Sequence, residues 1–226
     1  MDLLEFARGP GLAISVAVFV AGLAWRLYRI FRRPVRRDLS LARKETVWTD
    51  GLRAIFAKML PPKGVRIRGG QMLNAYGYHI ALAIVAFAFA PHIAFIRKYS
   101  GLGWPPLPDP VTYLATAVAI LGLVVALMYR LTDGVQRLLS TFDDYFSWFV
   151  TLLPLLTGMA LIERPYYPAP IVAPALPTSP TLLAIHLLSL ELLLVWLPFG
   201  KLSHAMLVFV SRWRTGMDFA RKGAAL

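Results

Sequence analysis

The chain of 226 residues contains no cysteine. This absence excludes disulfide bonds, thiolate ligands to haem iron, iron–sulfur clusters bound by the chain itself, and covalent haem attachment through a CxxCH motif. Any iron–sulfur centre that works with this protein must therefore belong to another polypeptide.

Charged residues are also scarce. They make up 16% of the chain, against about 25% in soluble domains of ordinary composition. Hydrophobic residues account for 58%, and the mean hydropathy is +0.60. Runs of about 20 apolar residues recur, each long enough to cross a bilayer as a helix. The composition predicts an all-α membrane protein that forms a single domain over residues 1–226.

The apolar runs predict five transmembrane helices, and the fifth is expected to run as one helix. Between the first two, the spacing of Leu52, Ile55, Phe56 and Met59 indicates an amphipathic helix. A proline-rich loop before the fifth run must be extended. The predicted spans are residues 11–30, 77–96, 111–130, 145–162 and 181–210.

Basic residues are distributed unevenly between the predicted loops. The chain has 24 Lys and Arg against 12 Asp and Glu, for a net charge of +12. All but four of the 24 lie in the first loop, the third loop, the C-terminal tail or the adjoining span ends; the four are Arg8, Arg97, Lys98 and Arg164. The positive-inside rule then places the N-terminus outside and the C-terminus in the cytoplasm. The charge therefore indicates a multi-pass protein in contact with lipids, with its basic side facing the cytoplasm, and not a nucleic-acid partner.

All four histidines of the chain fall within two predicted spans. His79 and His92 are in the second, and His186 and His204 are in the fifth. Ionisable residues at membrane depth are costly, so each is a functional candidate. Because the two helices run in opposite directions, His79 should lie level with His204 near the inner face, and His92 level with His186 near the outer face. Two six-coordinate haem b groups need this arrangement, with one axial ligand from each helix.

Helical geometry fits one pair of histidines better than the other. Those of the fifth span are 18 residues apart, about five turns, so a straight helix would project both from one face. Those of the second span are 13 apart, and an ideal helix would rotate them by roughly 140°. Pro91 can re-aim the chain there, and Pro198 can bend the fifth span. Two other interpretations stay open: structural histidines bonded to neighbouring helices, and a metal-transport site, which would require ligands at one depth.

Two stretches carry a resemblance to a known family. AIHLLSLELLLVWLPFGKLSHAM resembles the last transmembrane helix of the γ subunit of respiratory nitrate reductases. That helix has two haem-ligating histidines 18 residues apart, the second closing a Pro-Phe-small-basic-Leu-x-His pattern, here Pro198 to His204. YHIALAIVAF resembles the family's second helix, in which His79 matches the ligand of the inner haem. The nitrate reductase pattern has its other ligand where this chain has Phe89, three residues before His92. This shift favours relatives in the same superfamily, the cytochrome b subunits of sulfur metabolism linked to dissimilatory sulfite reductase, which pair with heterodisulfide-reductase-like iron–sulfur proteins.

The resemblance implies a di-haem b electron-transfer subunit of a membrane oxidoreductase complex in the respiratory chain. It would exchange electrons between membrane quinol or quinone, near the outer haem, and a cytoplasmic iron–sulfur partner subunit. The rival interpretations are a haem-free membrane anchor for a soluble redox enzyme and a small transporter. The sequence shows no inverted repeat that would support a transporter.

Four further charged residues lie near the expected haems. Arg97 and Lys98 are candidates for a quinone site, and the alternative is a solvated loop. Glu191 could relay quinol protons or bond a neighbouring helix. Lys201 could pair with a haem propionate or extend to the inner surface. No residue is predicted to act as a catalytic acid, base or nucleophile.

Overall fold

A computed structural model describes residues 2–32, 41–57, 69–161 and 179–224. Within these ranges every regular element is helical and none is a strand, so the all-α prediction is confirmed. The contacts divide the chain into two compact units. The first comprises Met1–Phe19 and Ile67–Leu197, and the second comprises Val20–Arg66 and Pro198–Leu226.

The first predicted span is a helix, α2 (Pro10–Arg32), preceded by the short helix α1 (Leu3–Arg8). Asp2 caps α1 because its Oδ1 accepts a hydrogen bond from the backbone N–H of Glu5 at 2.7 Å. The third predicted span is α6 (Asp109–Thr132). These two stretches, taken as Leu3–Arg32 and Asp109–Thr132, are long and apolar enough to cross a membrane.

The second predicted span is broken into α4 (Gly69–Ala88) and α5 (Ala90–Ser100), which meet at 59°. Pro91 has no N–H, so it cannot donate to the carbonyl of Phe87, the residue four positions earlier. The indole N–H of Trp104 donates to that carbonyl instead, at 2.5 Å. The change of direction expected at Pro91 is therefore confirmed.

The fifth predicted span is interrupted, so the prediction of one continuous helix is wrong. Helix α9 (Pro180–Trp196) ends before Pro198, and a 3₁₀ turn at Lys201–Ser203 leads into α10 (His204–Arg221). A proline inside a helix removes a backbone hydrogen bond and clashes with the preceding turn. The predicted bend at Pro198 rested on this effect, and the structure shows a complete break there. The argument that 18 residues bring both histidines to one face therefore does not apply.

The fourth predicted span corresponds to α8 (Phe142–Ala160), which follows the short helix α7 (Gly134–Leu139). Thr141 and Asp144 form a capping box at its start, and the Asp144 carboxylate also pairs with Arg130 at 2.8 Å. Helix α8 is not among the helices of the described chain that are long and apolar enough to cross a membrane. Those number two, or up to four if each broken pair counts as one span.

The first unit is held together by close packing of α4, α6 and α8. Small residues allow α4 and α6 to approach closely, as is common between membrane helices. A Cβ at Gly122 would lie 2.6 Å from Cβ of Tyr78, and the Asn74 amide donates to the Gly122 carbonyl at 2.9 Å. The buried core consists of Ala81, Ala115, Ala119, Leu123, Leu152 and Leu155.

The second unit contains the predicted amphipathic helix, α3 (Trp48–Ala57), which packs on α10. Met59, which the sequence assigned to the same helix, lies outside the described residues, as does most of the proline-rich loop.

Candidate functional site

His92 owes its position to the break between α4 and α5. It is the third residue of α5, and its Nδ1–H donates to the carbonyl of Val85, in the last turn of α4, at 2.7 Å. The ring of Phe89 meets the imidazole edge-on, with centroids 5.3 Å apart. Phe89, three residues earlier in the chain, therefore lies against this histidine.

His186 lies on α9 and faces α8. Its Nδ1 is 3.1 Å from the hydroxyl oxygen of Thr157, which is also 3.0 Å from that of Ser189. One turn of α8 makes room for the ring, because a Cβ at Gly158 would lie only 3.2 Å from the Cε1 of His186. The Thr157 hydroxyl and the absence of a side chain at Gly158 together fix the position of the His186 imidazole.

The structure brings His92 and His186 together, as the antiparallel topology predicted. Their ring centroids are 6.2 Å apart and their planes differ by 8°. A histidine nitrogen lies about 2 Å from a metal that it ligates and about 1 Å from its own ring centre. Two imidazoles on opposite sides of one metal therefore have centres about 6 Å apart. The spacing of this pair fits that requirement.

His79 and His204 lie in different units, and their pairing stays a prediction. On α4, the Nδ1–H of His79 donates to the Ala75 carbonyl at 2.7 Å, and the ring stacks on Tyr78 at 4.4 Å. His204 is the first residue of α10, and its Nδ1–H donates to the Lys201 carbonyl at 2.7 Å. A bond from Nδ1–H to a backbone carbonyl fixes the tautomer and the orientation of the ring, a second-shell pattern typical of metal-binding histidines.

The turn before His204 is anchored by α2. Arg26 donates from Nε to the Pro198 carbonyl at 2.8 Å and from Nη2 to the Phe199 carbonyl at 2.6 Å. One turn earlier on α2, a Cβ at Gly22 would lie 2.7 Å from the Pro198 ring. Within the second unit, Gly22 and Arg26 thus hold the Pro-Phe segment of the histidine pattern in place.

A cavity of about 560 Å³ adjoins His204 within the second unit. Lys201, the propionate candidate, and Arg214 contribute positive charge to its lining, and Leu207 and Val208 contribute apolar surface. Asp218 also lines the cavity and contributes a negative charge, so the lining combines two cations and one anion with apolar surface.

The quinone candidates occupy two different environments in the first unit. Arg97 packs against Gly103 and, with Trp104, lines a shallow cavity of about 430 Å³, while the Lys98 ammonium lies 5.2 Å from the Tyr99 ring centre. Glu191 is only 7% exposed, and its carboxylate faces Gly11 at the start of α2. Its Oε1 has no hydrogen-bond partner among the described residues.

Sequence reasoning missed three residues that shape these sites: Thr157, Gly158 and Arg26. Arginine within an apolar run is a visible signal, and Arg26 had been read only as a loop charge. Thr157 and Gly158 gave no signal of their own, because small polar residues are common in membrane helices. Trp104, in the loop after α5, likewise caps the broken helix through its indole N–H.

No group of three or more His, Asp or Glu that could hold a metal ion occurs in the described part of the chain. The histidine pair instead has two imidazole groups, the number that a six-coordinate bis-histidine haem takes from a protein. This geometry differs from the clustered ligands expected of a metal-transport site.

Comparison with known proteins shows which family the chain belongs to. No protein-family model matches the chain. No solved structure matches it with significance. A protein of Nitratidesulfovibrio vulgaris strain Hildenborough, described only as "Protein", is 31% identical over 216 residues, covering 94% of this chain and 86% of the relative. The chain therefore belongs to the same family as this Nitratidesulfovibrio vulgaris protein.

Proposed function

We propose that the chain is a membrane cytochrome b in which His92 and His186 are the axial ligands of one haem b. The observation that carries the proposal is the near-parallel pair of imidazoles with centres 6.2 Å apart. A haem bound here would supply a one-electron carrier within the apolar part of the protein.

The surrounding residues support ligation by fixing the rings. The Val85 carbonyl orients His92, and the Thr157 hydroxyl contacts Nδ1 of His186. Partners of this kind orient metal-binding histidines and increase their basicity. Gly158 keeps the space beside His186 open.

A second haem b bound by His79 and His204 completes the proposal. Both Nδ1 atoms donate to backbone carbonyls, the second-shell bond that orients metal-binding histidines. The cavity beside His204 supports it as well, because Lys201 and Arg214 can bind propionates there.

The proposed topology has five spans, with the N-terminus outside and the C-terminus in the cytoplasm of a prokaryote. In support, the described basic residues of α10 and the end of α2 belong to the segments assigned to the inner side. A cytoplasmic iron–sulfur subunit would dock on this basic side.

Quinol oxidation near the outer haem gives quinone, two electrons and two protons. We assign the electrons to the iron–sulfur partner and the protons to the outer side, and quinone reduction would use the same residues in reverse. Arg97 and Lys98 at the end of α5 are cations suited to a quinone oxygen. Glu191 is a buried carboxyl group suited to accept a proton.

The first test is a dithionite-reduced minus oxidised spectrum of the purified protein, with a pyridine haemochrome assay. We expect a b-type α-band and two haems per chain. His186→Ala should retain one haem, whereas Leu187→Ala, a matched change on the next residue of α9, should retain both. A wild-type protein without an α-band would establish the haem-free anchor instead.

The quinone side is tested separately by stopped-flow reduction with a soluble quinol analogue. Lys98→Gln should slow haem reduction by quinol while reduction by dithionite stays complete, and Lys98→Arg, which keeps the charge, should retain most of the rate. Unchanged kinetics in Lys98→Gln would move the quinone site away from α5.

A further inference from the structure

Helix α3 in the second unit has two distinct faces. Trp48, Leu52 and Phe56 recur every four residues and so form one stripe. Their side chains are 57%, 38% and 72% exposed. A stripe of large apolar residues with this exposure, on a helix of ten residues, is left largely uncovered by the described parts of its own unit.

The opposite face of α3 is buried against α10. Gly51 and Ala54 are the buried residues of α3. A Cβ at Gly51 would lie 2.6 Å from the Trp213 ring, and one at Gly216 would collide with the Ala54 methyl group. This close packing fixes the rotation of α3 about its axis, so the apolar stripe is held facing away from α10.

Helix α10 also joins α3 to the end of α2. Arg214 donates to the carbonyl of Ile30 at 3.3 Å, and Arg212 donates to the carbonyl of Ile55 at 3.5 Å. The two arginines are two residues apart, about 3 Å of helical rise. The last turn of α2 and the second half of α3 are therefore fastened to the same turn of α10.

The end of α2 has the composition of a membrane interface. Trp25, Tyr28 and Phe31 are exposed there, Trp25 and Tyr28 stack at 5.8 Å, and the Arg32 guanidinium lies 5.7 Å from the Tyr28 ring centre. Exposed aromatic rings with arginine characterise the level where a membrane helix meets the headgroups. Since α10 fastens α3 to this region, α3 lies near the same level.

We propose that α3 is an interfacial helix whose Trp48–Leu52–Phe56 stripe inserts into the cytoplasmic leaflet of the bilayer. Arg53, exposed and about 100° from the centre of the stripe, is positioned at the boundary for an anionic headgroup. Lipid is the occupant that fits, because the surrounding sequence is basic: residues 58–68 alone contain Lys58, Lys63, Arg66 and Arg68. This inference rests on the membrane placement of the proposed function and not on its haems.

The absence of cysteine allows a direct test on the full-length protein. A nitroxide attached to a single introduced cysteine, at Phe56→Cys or Ala57→Cys, reports its accessibility to oxygen and to a water-soluble nickel reagent. The protein would be reconstituted in phosphatidylcholine vesicles with and without phosphatidylglycerol. We expect oxygen to dominate at position 56 and nickel at the adjacent, outward position 57, with position 56 deeper when phosphatidylglycerol is present.

Two results would overturn the inference. Equal nickel access at positions 56 and 57 would mean that the stripe faces water. Shielding of position 56 from both reagents would mean that a protein surface covers it. A label at Val118→Cys, exposed in the middle of α6, separates this failure from that of the membrane placement, because it should report lipid whatever α3 does.

Discussion

Substitution of Gly158 tests whether the imidazole of His186 is a haem ligand without removing the ligand itself. The Cβ of an alanine at this position would lie 3.2 Å from Cε1 and 3.6 Å from Nδ1 of His186. Favourable contacts between heavy atoms begin at about 3.5 Å. The ring must therefore retreat by a few tenths of an ångström for alanine, and by more for the two additional methyl groups of valine.

The size of the displacement decides the expected result. A binding site functions when its ligand groups are held within about 0.5 Å of the geometry that the bound group requires. Gly158→Ala stays within this limit, so we expect both haems to bind, with an altered low-spin EPR signal from the outer one. Gly158→Val exceeds it, and we expect the haemochrome value to fall from two haems per chain to one.

A matched control is available at Gly77, on α4, where a Cβ would meet no atom within 4 Å. Replacing a helical glycine by alanine stabilises a helix by about 1 kcal/mol, and this gain is common to both positions. The difference between the two series therefore isolates the contact with His186. Full haem content and an unchanged EPR signal in Gly158→Val would refute the assignment of His186 as a ligand.

Three further predictions concern the histidine pair, the Thr157 hydroxyl and the ion pair between Arg130 and Asp144. His92→Ala and His186→Ala should remove the same component in a redox titration, and loss of different components would contradict the pairing. Thr157→Val should release haem about tenfold faster, whereas Thr157→Ser should behave as wild type; equal rates in all three proteins would mean that the hydroxyl does not orient the ring. Arg130→Gln removes the positive partner of the Asp144 carboxylate, whose side chain is 5% exposed, and should cost about 3 kcal/mol in the free energy of unfolding in detergent. If adding Asp144→Asn to Arg130→Gln restores the stability, the uncompensated carboxylate charge is the cause. An unchanged unfolding curve in Arg130→Gln would exclude this cause.

Local signals in the sequence predicted the helices and the positions of their breaks. Hydropathy located α2 and α6, and Pro91 and Pro198 marked where the second and fifth spans change direction, because a missing N–H acts at a fixed position in the chain. The extent of each change could not be predicted. The sequence predicts a bend at Pro198, whereas α9 ends at Trp196 and an α-helix resumes only at His204.

Contacts between residues distant in the sequence were the part that sequence reasoning could not supply. The pairing of His92 with His186 followed from topology alone, but the role of Thr157 depends on packing of α8 against α9. Gly158 likewise gains its importance only from the ring that faces it. Such roles arise from a single neighbour across a helix interface, and neither hydropathy nor spacing encodes that neighbour.

The two breaks have a common consequence for the histidines that follow them. His92 and His204 each lie in the first turn after a break, and each donates its Nδ1–H to a carbonyl on the preceding segment, that of Val85 or that of Lys201. His79 makes the same kind of bond inside an unbroken helix, to the carbonyl four residues earlier. The break instead lets the imidazole of His92 reach a carbonyl seven residues earlier, which is almost two turns away in an unbroken helix. The 13-residue spacing of His79 and His92, which a straight helix makes unfavourable, becomes compatible with a ligand role for the same reason.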